Sequence, residues 1–108
     1  MYVYTPAEKR TRRQLVREGS RMAMAGLTPE AAKERRIDKI DAAAFERGQR
    51  ELNALYAIQE SDRAALAGAK AQFRTAARED RAAAKQRVRD AEQALRRSEK
   101  AVEKAERQ

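Results

Sequence analysis

Large apolar residues recur with a helical period from residue 37 to residue 102. When each residue is placed 100° from the last, Leu55 and Phe73 fall directly above Ile37, and the other members lie within about 60° of that line. The apolar stripe comprises Ile37, Ile40, Leu52, Leu55, Ile58, Leu66, Phe73, Val88, Leu95 and Val102. Its phase does not slip, which favours one continuous helix over two helices joined by a loop.

Two capping patterns predict where the helices begin. Thr5 and Glu8 flank Pro6 in the order expected of a capping box, with proline at the first helical position. Gly26 suits a left-handed helix end, and Thr28-Pro29-Glu30 repeats the start pattern. The sequence therefore predicts a single domain with an arm at 1–5, a first helix at 6–25, a tight connector at 26–28 and a long helix at 29–108.

The long helix has two weak points that leave an alternative open. Gly48 and Gly68 each cost about 1 kcal/mol relative to alanine in a helix interior. Ser61 could cap a new helix with Asp62 in its first turn, so a break near residues 60–62 would fold the last helix back. The stripe also thins along the chain, which gives a packing half at 37–73 and a charged half at 74–108.

Composition strengthens the helical prediction and limits the core. Alanine supplies 24 of the 108 residues, whereas Val, Ile, Leu and Phe together supply only 15. Such a chain forms helices readily but buries little apolar surface by itself. We therefore expect an all-α fold, a short helix packed beside a long one, in a coiled-coil-like assembly with copies of itself or with another protein.

The missing residue types argue against catalysis. The chain has neither Cys nor His, and its four isolated glycines form no phosphate-binding loop. We expect no enzyme activity, cofactor, metal site or small-molecule substrate. No apolar run reaches membrane-spanning length and no signal-peptide core is present, so the expected location is the cytoplasm.

The net charge of +8 is concentrated in basic clusters. The first helix carries Arg10, Arg12, Arg13, Arg17 and Arg21, and a second strip beside the apolar stripe comprises Lys70, Arg74, Arg78, Arg81, Lys85 and Arg89. Like charges four residues apart repel, and a polyanion would relieve that repulsion. These clusters favour binding to a nucleic acid backbone, DNA or RNA, through counterion release. A membrane surface is less favoured because the basic half offers mostly alanine to a lipid.

The stretch MAMAGLTPEAAKERR resembles the turn of a helix-turn-helix DNA reader in its spacing. In that interpretation Lys33, Arg35 and Arg36 would face DNA. The first helix has few large apolar residues facing the turn, and no third helix completes a core, so a plain connector is favoured. The sequence thus predicts a small, non-catalytic accessory protein that binds nucleic acid backbone. The alternative is a helical adaptor that acts through protein contacts only.

Overall fold

The computed structural model describes residues 1–28 and 30–108 of the chain. It contains α1 (Pro6–Met24), α2 (Ala31–Thr75), a single 3-10 turn (Arg78–Asp80) and α3 (Arg81–Glu106). The described residues contain no strand, so the all-α prediction is confirmed. Pro29, the predicted first residue of the second helix, lies outside the described residues. The chain divides into two units, Met1–Arg50 and Glu51–Gln108.

Both ends of α1 form as the sequence predicts. The backbone N–H of Glu8 donates to the Thr5 hydroxyl (3.1 Å), and the N–H of Thr5 donates to the Glu8 carboxylate (2.9 Å), which completes the capping box. At the other end, Gly26 has φ +77° and the N–H of Leu27 donates to the carbonyl of Met22 (2.8 Å). This is the left-handed termination predicted at Gly26, and the helix itself ends at Met24, one residue before its predicted end.

The second predicted helix does not continue to the end of the chain. α2 ends at Thr75 and α3 begins at Arg81, so the predicted continuous helix over 29–108 was wrong. The fold-back alternative is closer to the structure, but its predicted break at residues 60–62 lies inside α2. Ser61 therefore does not cap a helix.

Apolar burial explains why a reversal follows Thr75. Ala77 has extended backbone (φ −65°, ψ 158°) and precedes the 3-10 turn. Glu79 and Asp80 come just before α3, where the positive end of the helix dipole favours carboxylates. A free rod would leave the apolar stripe in water, whereas the reversal lets the stripe residues of α3 cover those within residues 51–75 of α2.

The second unit pairs the C-terminal part of α2 with α3 in antiparallel fashion. The Tyr56 hydroxyl donates to the Glu106 carboxylate (2.7 Å), and the Arg81 guanidinium lies 5.2 Å from the centre of the Phe73 ring. A row of less exposed residues, spaced alternately by three and four, runs along each helix. The rows are Leu52, Leu55, Gln59, Asp62, Leu66, Ala69 and Phe73 on α2, and Ala84, Val88, Ala91, Leu95, Ser98, Val102 and Ala105 on α3. This heptad spacing keeps one seam of each helix turned towards the other.

The stripe residues predicted to pack on a partner helix are covered within their own units to different degrees. Val102 is buried, and the half-buried members are Ile37, Ile40, Leu52, Leu55, Leu66, Phe73, Val88 and Leu95. Ile58 lies off the heptad row and stays 52% exposed. The chain itself therefore covers most of the stripe, and association with a further chain stays a prediction.

The first unit packs the arm and α1 against the beginning of α2. Leu15 is the buried residue of α1, and Ile37 and Ile40 are half-buried on α2. The arm lies along α2, because the N–H of Val3 donates to the carbonyl of Ala44 (3.0 Å) and Ala44 is fully buried. Small residues thus carry much of the contact.

Gly48 explains how the arm comes so close to α2. A Cβ atom on Gly48 would lie 1.9 Å from the carbonyl oxygen of Met1 and 2.7 Å from its carbonyl carbon. Real Cβ atoms do not approach backbone at such distances, so only glycine fits here. Gly48, which disfavours a helix by its propensity, is therefore the position where the arm packs.

Two glycine-to-alanine changes in α2 should have opposite effects. Gly68→Ala should raise the free energy of unfolding by up to about 1 kcal/mol, because alanine favours helix and nothing lies within 4 Å of the added Cβ. Gly48→Ala gains the same propensity but displaces the arm. We expect lower stability in urea denaturation and faster hydrogen exchange at the Val3 amide. A Gly48→Ala protein with a protected Val3 amide and the stability gain of Gly68→Ala would contradict this.

Candidate nucleic-acid interface

Four arginines form a straight row along α1. Arg10, Arg13, Arg17 and Arg21 follow one another at spacings of three or four residues, which places them on one side of the helix, opposite Leu15. The row, called here the arginine row, extends over about 17 Å at 1.5 Å per residue. All four side chains are exposed, and together with Gln14 and Glu18 they line a shallow cavity of about 420 Å³.

Ion pairs to α2 occupy both carboxylates of α1. Arg47 forms two parallel bonds to Glu8, with both N···O distances 2.6 Å. Lys33 approaches Glu18 at 2.9 Å. Within residues 1–28 and 30–108, no carboxylate forms an ion pair with a member of the arginine row. The two carboxylates of α1 thus pair with Lys33 and Arg47 of α2, and the exposed arginines of the row carry their positive charge into solvent.

Arg12 belongs to the scaffold rather than to the exposed row. Its Nε lies 2.7 Å from the Asp41 carboxylate, which also accepts a hydrogen bond from the Tyr4 hydroxyl (2.8 Å). The Arg12 guanidinium lies 5.8 Å from the centre of the Tyr4 ring. The sequence grouped Arg12 with its neighbours, but the structure separates it from them. A reading of the 3.6-residue spacing within the cluster would have found this difference.

These ion pairs hold the carboxylates in their charged form. The hydrogen bonds from Arg47, together with the Thr5 backbone N–H, lower the pKa of Glu8 to about 2. The hydrogen bond from Arg12 lowers the pKa of Asp41, and the one from Lys33 lowers the pKa of Glu18. A charge-assisted hydrogen bond favours the ionised acid in each case. The α1–α2 contact therefore depends on ionised carboxylates.

The basic residues at the start of α2 also fall into paired and exposed ones, as those of α1 do. Lys33 is half-buried in its ion pair with Glu18, so it is not placed as a DNA-reading residue would be. Arg35 and Arg36 are exposed. Arg36 lines a second shallow cavity of about 350 Å³, formed with Lys39, Ile40 and residues of α1. The three predicted readers thus do not share one role.

The predicted basic strip of the second unit is not continuous. Lys70 and Arg74 lie on α2, Arg78 lies in the 3-10 turn, and Arg81, Lys85 and Arg89 lie on α3. All six are exposed, but the reversal after Thr75 divides them among three elements, so the single straight strip was wrong. Its geometry assumed a helix that does not pass through residues 76–80. The arginine row on α1 has the alignment that this strip lacks.

Acid should weaken the first unit, because three carboxylates in it have a lowered pKa. A pKa below its unfolded value stabilises the fold above that value, and the effect is lost as pH falls through the folded pKa. For Glu8 this window runs from about 4.5 down to about 2. We expect the melting temperature to fall across it, and Glu8→Gln, which retains a capping side chain, to reduce that fall. Circular dichroism melts at a series of pH values measure this effect.

Glu46→Gln is the matched control for the acid experiment. Glu46 is an exposed carboxylate on α2 and makes no ion pair among the residues that the structure describes. It should leave the pH dependence of the melting temperature as in the wild type. Equal acid sensitivity of the Glu8→Gln protein and the wild type would show that this pair does not couple stability to pH.

Comparisons with known proteins provide no relative from which a function could be inferred. Within the described ranges, no helix is both long and apolar enough to cross a bilayer. No protein-family model, no curated protein and no solved structure matches the chain.

Proposed function

We propose that this is a small, non-catalytic accessory protein that binds the phosphate backbone of nucleic acids through the arginine row of α1. The observation that carries the proposal is the alignment of four exposed arginines on the face of α1 opposite Leu15. Neither carboxylate of their own helix forms an ion pair with them, because Glu8 and Glu18 pair with cations of α2.

The chemistry of arginine fits a phosphate ligand. A guanidinium presents a planar set of N–H donors that matches two phosphate oxygens, and it stays charged at every physiological pH. Four such groups on one straight helix face would displace counterions from a polyanion, and that release favours binding. Because Arg13, Arg17 and Arg21 repel one another at four-residue spacing, a bound phosphate backbone would also stabilise α1.

The charge distribution supports non-specific rather than base-specific binding. Residues 1–50 contain twelve Lys and Arg against seven Asp and Glu. Contacts to phosphates position a protein but carry no sequence information. Lys33, one of the predicted DNA-reading residues, is engaged by Glu18 and is therefore not free to contact a base. Binding should therefore be indifferent to sequence, and the cytoplasm remains the predicted location.

A second candidate function is that of a helical adaptor. Met24 is 90% exposed at the end of α1, and Leu27 in the connector is also exposed. Two large apolar side chains at one helix end are typical of a protein contact. The seams of α2 and α3 already face each other, so a larger coiled-coil assembly would use apolar side chains that the chain leaves exposed, such as Ile58. The adaptor and the nucleic-acid proposals differ in the surface that mutation should affect.

The double change Arg13→Gln with Arg17→Gln should weaken nucleic-acid binding and its salt dependence. Each lost phosphate contact should reduce the slope of log affinity against log salt by about 0.7 for a single strand and about 0.9 for a duplex. Glutamine resembles arginine in helix propensity, so α1 should remain folded. Fluorescence anisotropy with labelled oligonucleotides, single-stranded and duplex, over a salt series measures both quantities.

The control removes the same charge elsewhere. Arg96→Gln with Arg97→Gln takes two exposed arginines from α3 and should leave the salt slope nearly unchanged. If both double variants weaken binding equally, the arginine row has no special role. If the wild type binds no oligonucleotide at low salt, the nucleic-acid proposal fails. Loss of a protein interaction on Met24→Ser would then favour the adaptor.

A further inference from the structure

An exposed aromatic cluster lies beside the arginine row. Three of the five aromatic residues of the chain, Tyr2, Tyr4 and Phe45, belong to it. The rings of Tyr2 and Tyr4 are nearly parallel, 11° apart with centres 6.1 Å from each other, and Phe45 tilts against Tyr2 at 5.5 Å. Tyr2 is nevertheless 56% exposed and Phe45 43% exposed. The cluster thus presents ring surface to solvent in a chain with few large apolar residues.

Polar contacts from α1 and α2 hold the aromatic cluster in place. The Tyr4 hydroxyl donates to Asp41 (2.8 Å), and the Arg12 guanidinium lies near the Tyr4 ring. Between the two tyrosines, Val3 is bonded to α2 through both its N–H and its carbonyl, the latter accepting from Arg47. A segment fixed in this way keeps Tyr2 stacked rather than free. The cluster is therefore ordered before any ligand binds, which lowers the entropic cost of stacking on it.

The aromatic cluster and the arginine row meet at Arg13. Tyr4 lines an open cavity of about 330 Å³ together with Lys9, Arg12, Arg13 and Val16. Arg13 also lines the cavity along the arginine row. The Tyr4 ring and the phosphate donors are thus continuous on one unit, and the exposed Tyr2 ring stacks on Tyr4. Phosphate alone would not require the rings, and a duplex could not use them, because its bases are stacked on one another.

We propose that the ligand of this surface is single-stranded nucleic acid, with its backbone along the arginine row and bases stacked on the aromatic cluster. Proteins that bind single strands without sequence preference combine a basic path for the backbone with aromatic side chains for the bases. This inference rests on the proposed function, because it specifies the form of nucleic acid that the arginine row receives. Stacking accepts any base, which agrees with the sequence-indifferent binding proposed for the arginine row.

The test compares oligo(dT), oligo(U) and a duplex of equal length, each labelled and titrated with the full-length protein. The wild type should bind at least one of the two single strands more tightly than the duplex. Tyr2→Ala should lower single-strand affinity by about tenfold, within the range known for one stacked base, with duplex affinity unchanged. Its salt slope should stay as in the wild type, since no phosphate contact is lost.

Two further variants separate loss of a ring from displacement of the arm. Tyr2→Phe keeps the ring and should retain single-strand affinity. Phe45→Leu keeps an apolar side chain of similar size on α2 and removes the ring, so it should lower single-strand affinity while the Val3 amide stays protected from hydrogen exchange. Tyr2→Ala and Phe45→Leu proteins that bind single strands as tightly as the wild type would overturn the inference.

The failure of this inference is distinguishable from the failure of the proposed function. If Arg13→Gln with Arg17→Gln lowers binding but the duplex binds as tightly as both single strands, the backbone proposal stands and the single-strand inference is overturned. If no nucleic acid binds, both are overturned. Tighter binding of oligo(U) or of oligo(dT) supports the inference in either case and identifies RNA or DNA as the ligand. Equal loss of single-strand and duplex affinity in the aromatic variants overturns it.

Discussion

Three ion pairs between the N-terminal segments and α2 decide what the first unit presents to solvent. They join Glu8 to Arg47, Arg12 to Asp41 and Glu18 to Lys33, in antiparallel order along the two helices. Each pair is partly exposed, so none is a strong contact alone. Their larger consequence is electrostatic, because they use both acidic groups of α1 on its packing side. The arginines on the other side form no ion pair with a carboxylate of their own helix.

The scarcity of large side chains makes close backbone approach important. Ala44 accepts the arm through its carbonyl, and Gly48 lets the Met1 carbonyl lie where a Cβ would otherwise be. Small residues on α2 therefore do what bulky core residues do in other folds. This close packing of the arm also affects the candidate site, because the arm carries Tyr2 and Tyr4 and their stacking depends on its position. Packing, aromatic exposure and charge are linked through one short segment.

The second unit shows how the chain reconciles an alanine-rich composition with a fold. Its two heptad rows contain alanines and the polar Gln59, Asp62 and Ser98 as well as leucines. Such a seam buries less apolar surface than one built from leucine throughout. Because α3 covers the C-terminal part of α2, the chain exposes less apolar surface to water than a single straight helix would. The basic residues of this unit are consequently distributed over three elements and carry less aligned charge than α1.

Local sequence patterns were sufficient to predict the helical class, the capping box at Thr5, the left-handed turn at Gly26 and the apolar positions of the stripe. These features depend on residues within a few positions of one another, and local chemistry is sufficient for them. Local patterns did not predict the reversal after Thr75. On a helical wheel of 3.6 residues per turn Ala84 lies almost directly above Phe73, because eleven residues are close to three full turns, so the periodicity shows no slip across the turn. Periodicity identifies an apolar face but not the element that covers it.

Helical spacing can separate Arg12 from Arg13 and Arg17, but the partner that engages Arg12 is visible only in the tertiary structure. In the sequence Arg12, Arg13 and Arg17 belong to one cluster, yet Asp41 on a different helix engages Arg12 and leaves the other two exposed. The role of Gly48 and the meeting of Tyr2 with Phe45 depend on the same long-range packing. Residues about thirty to fifty positions apart meet only after the helices dock, and no local pattern encodes those partners.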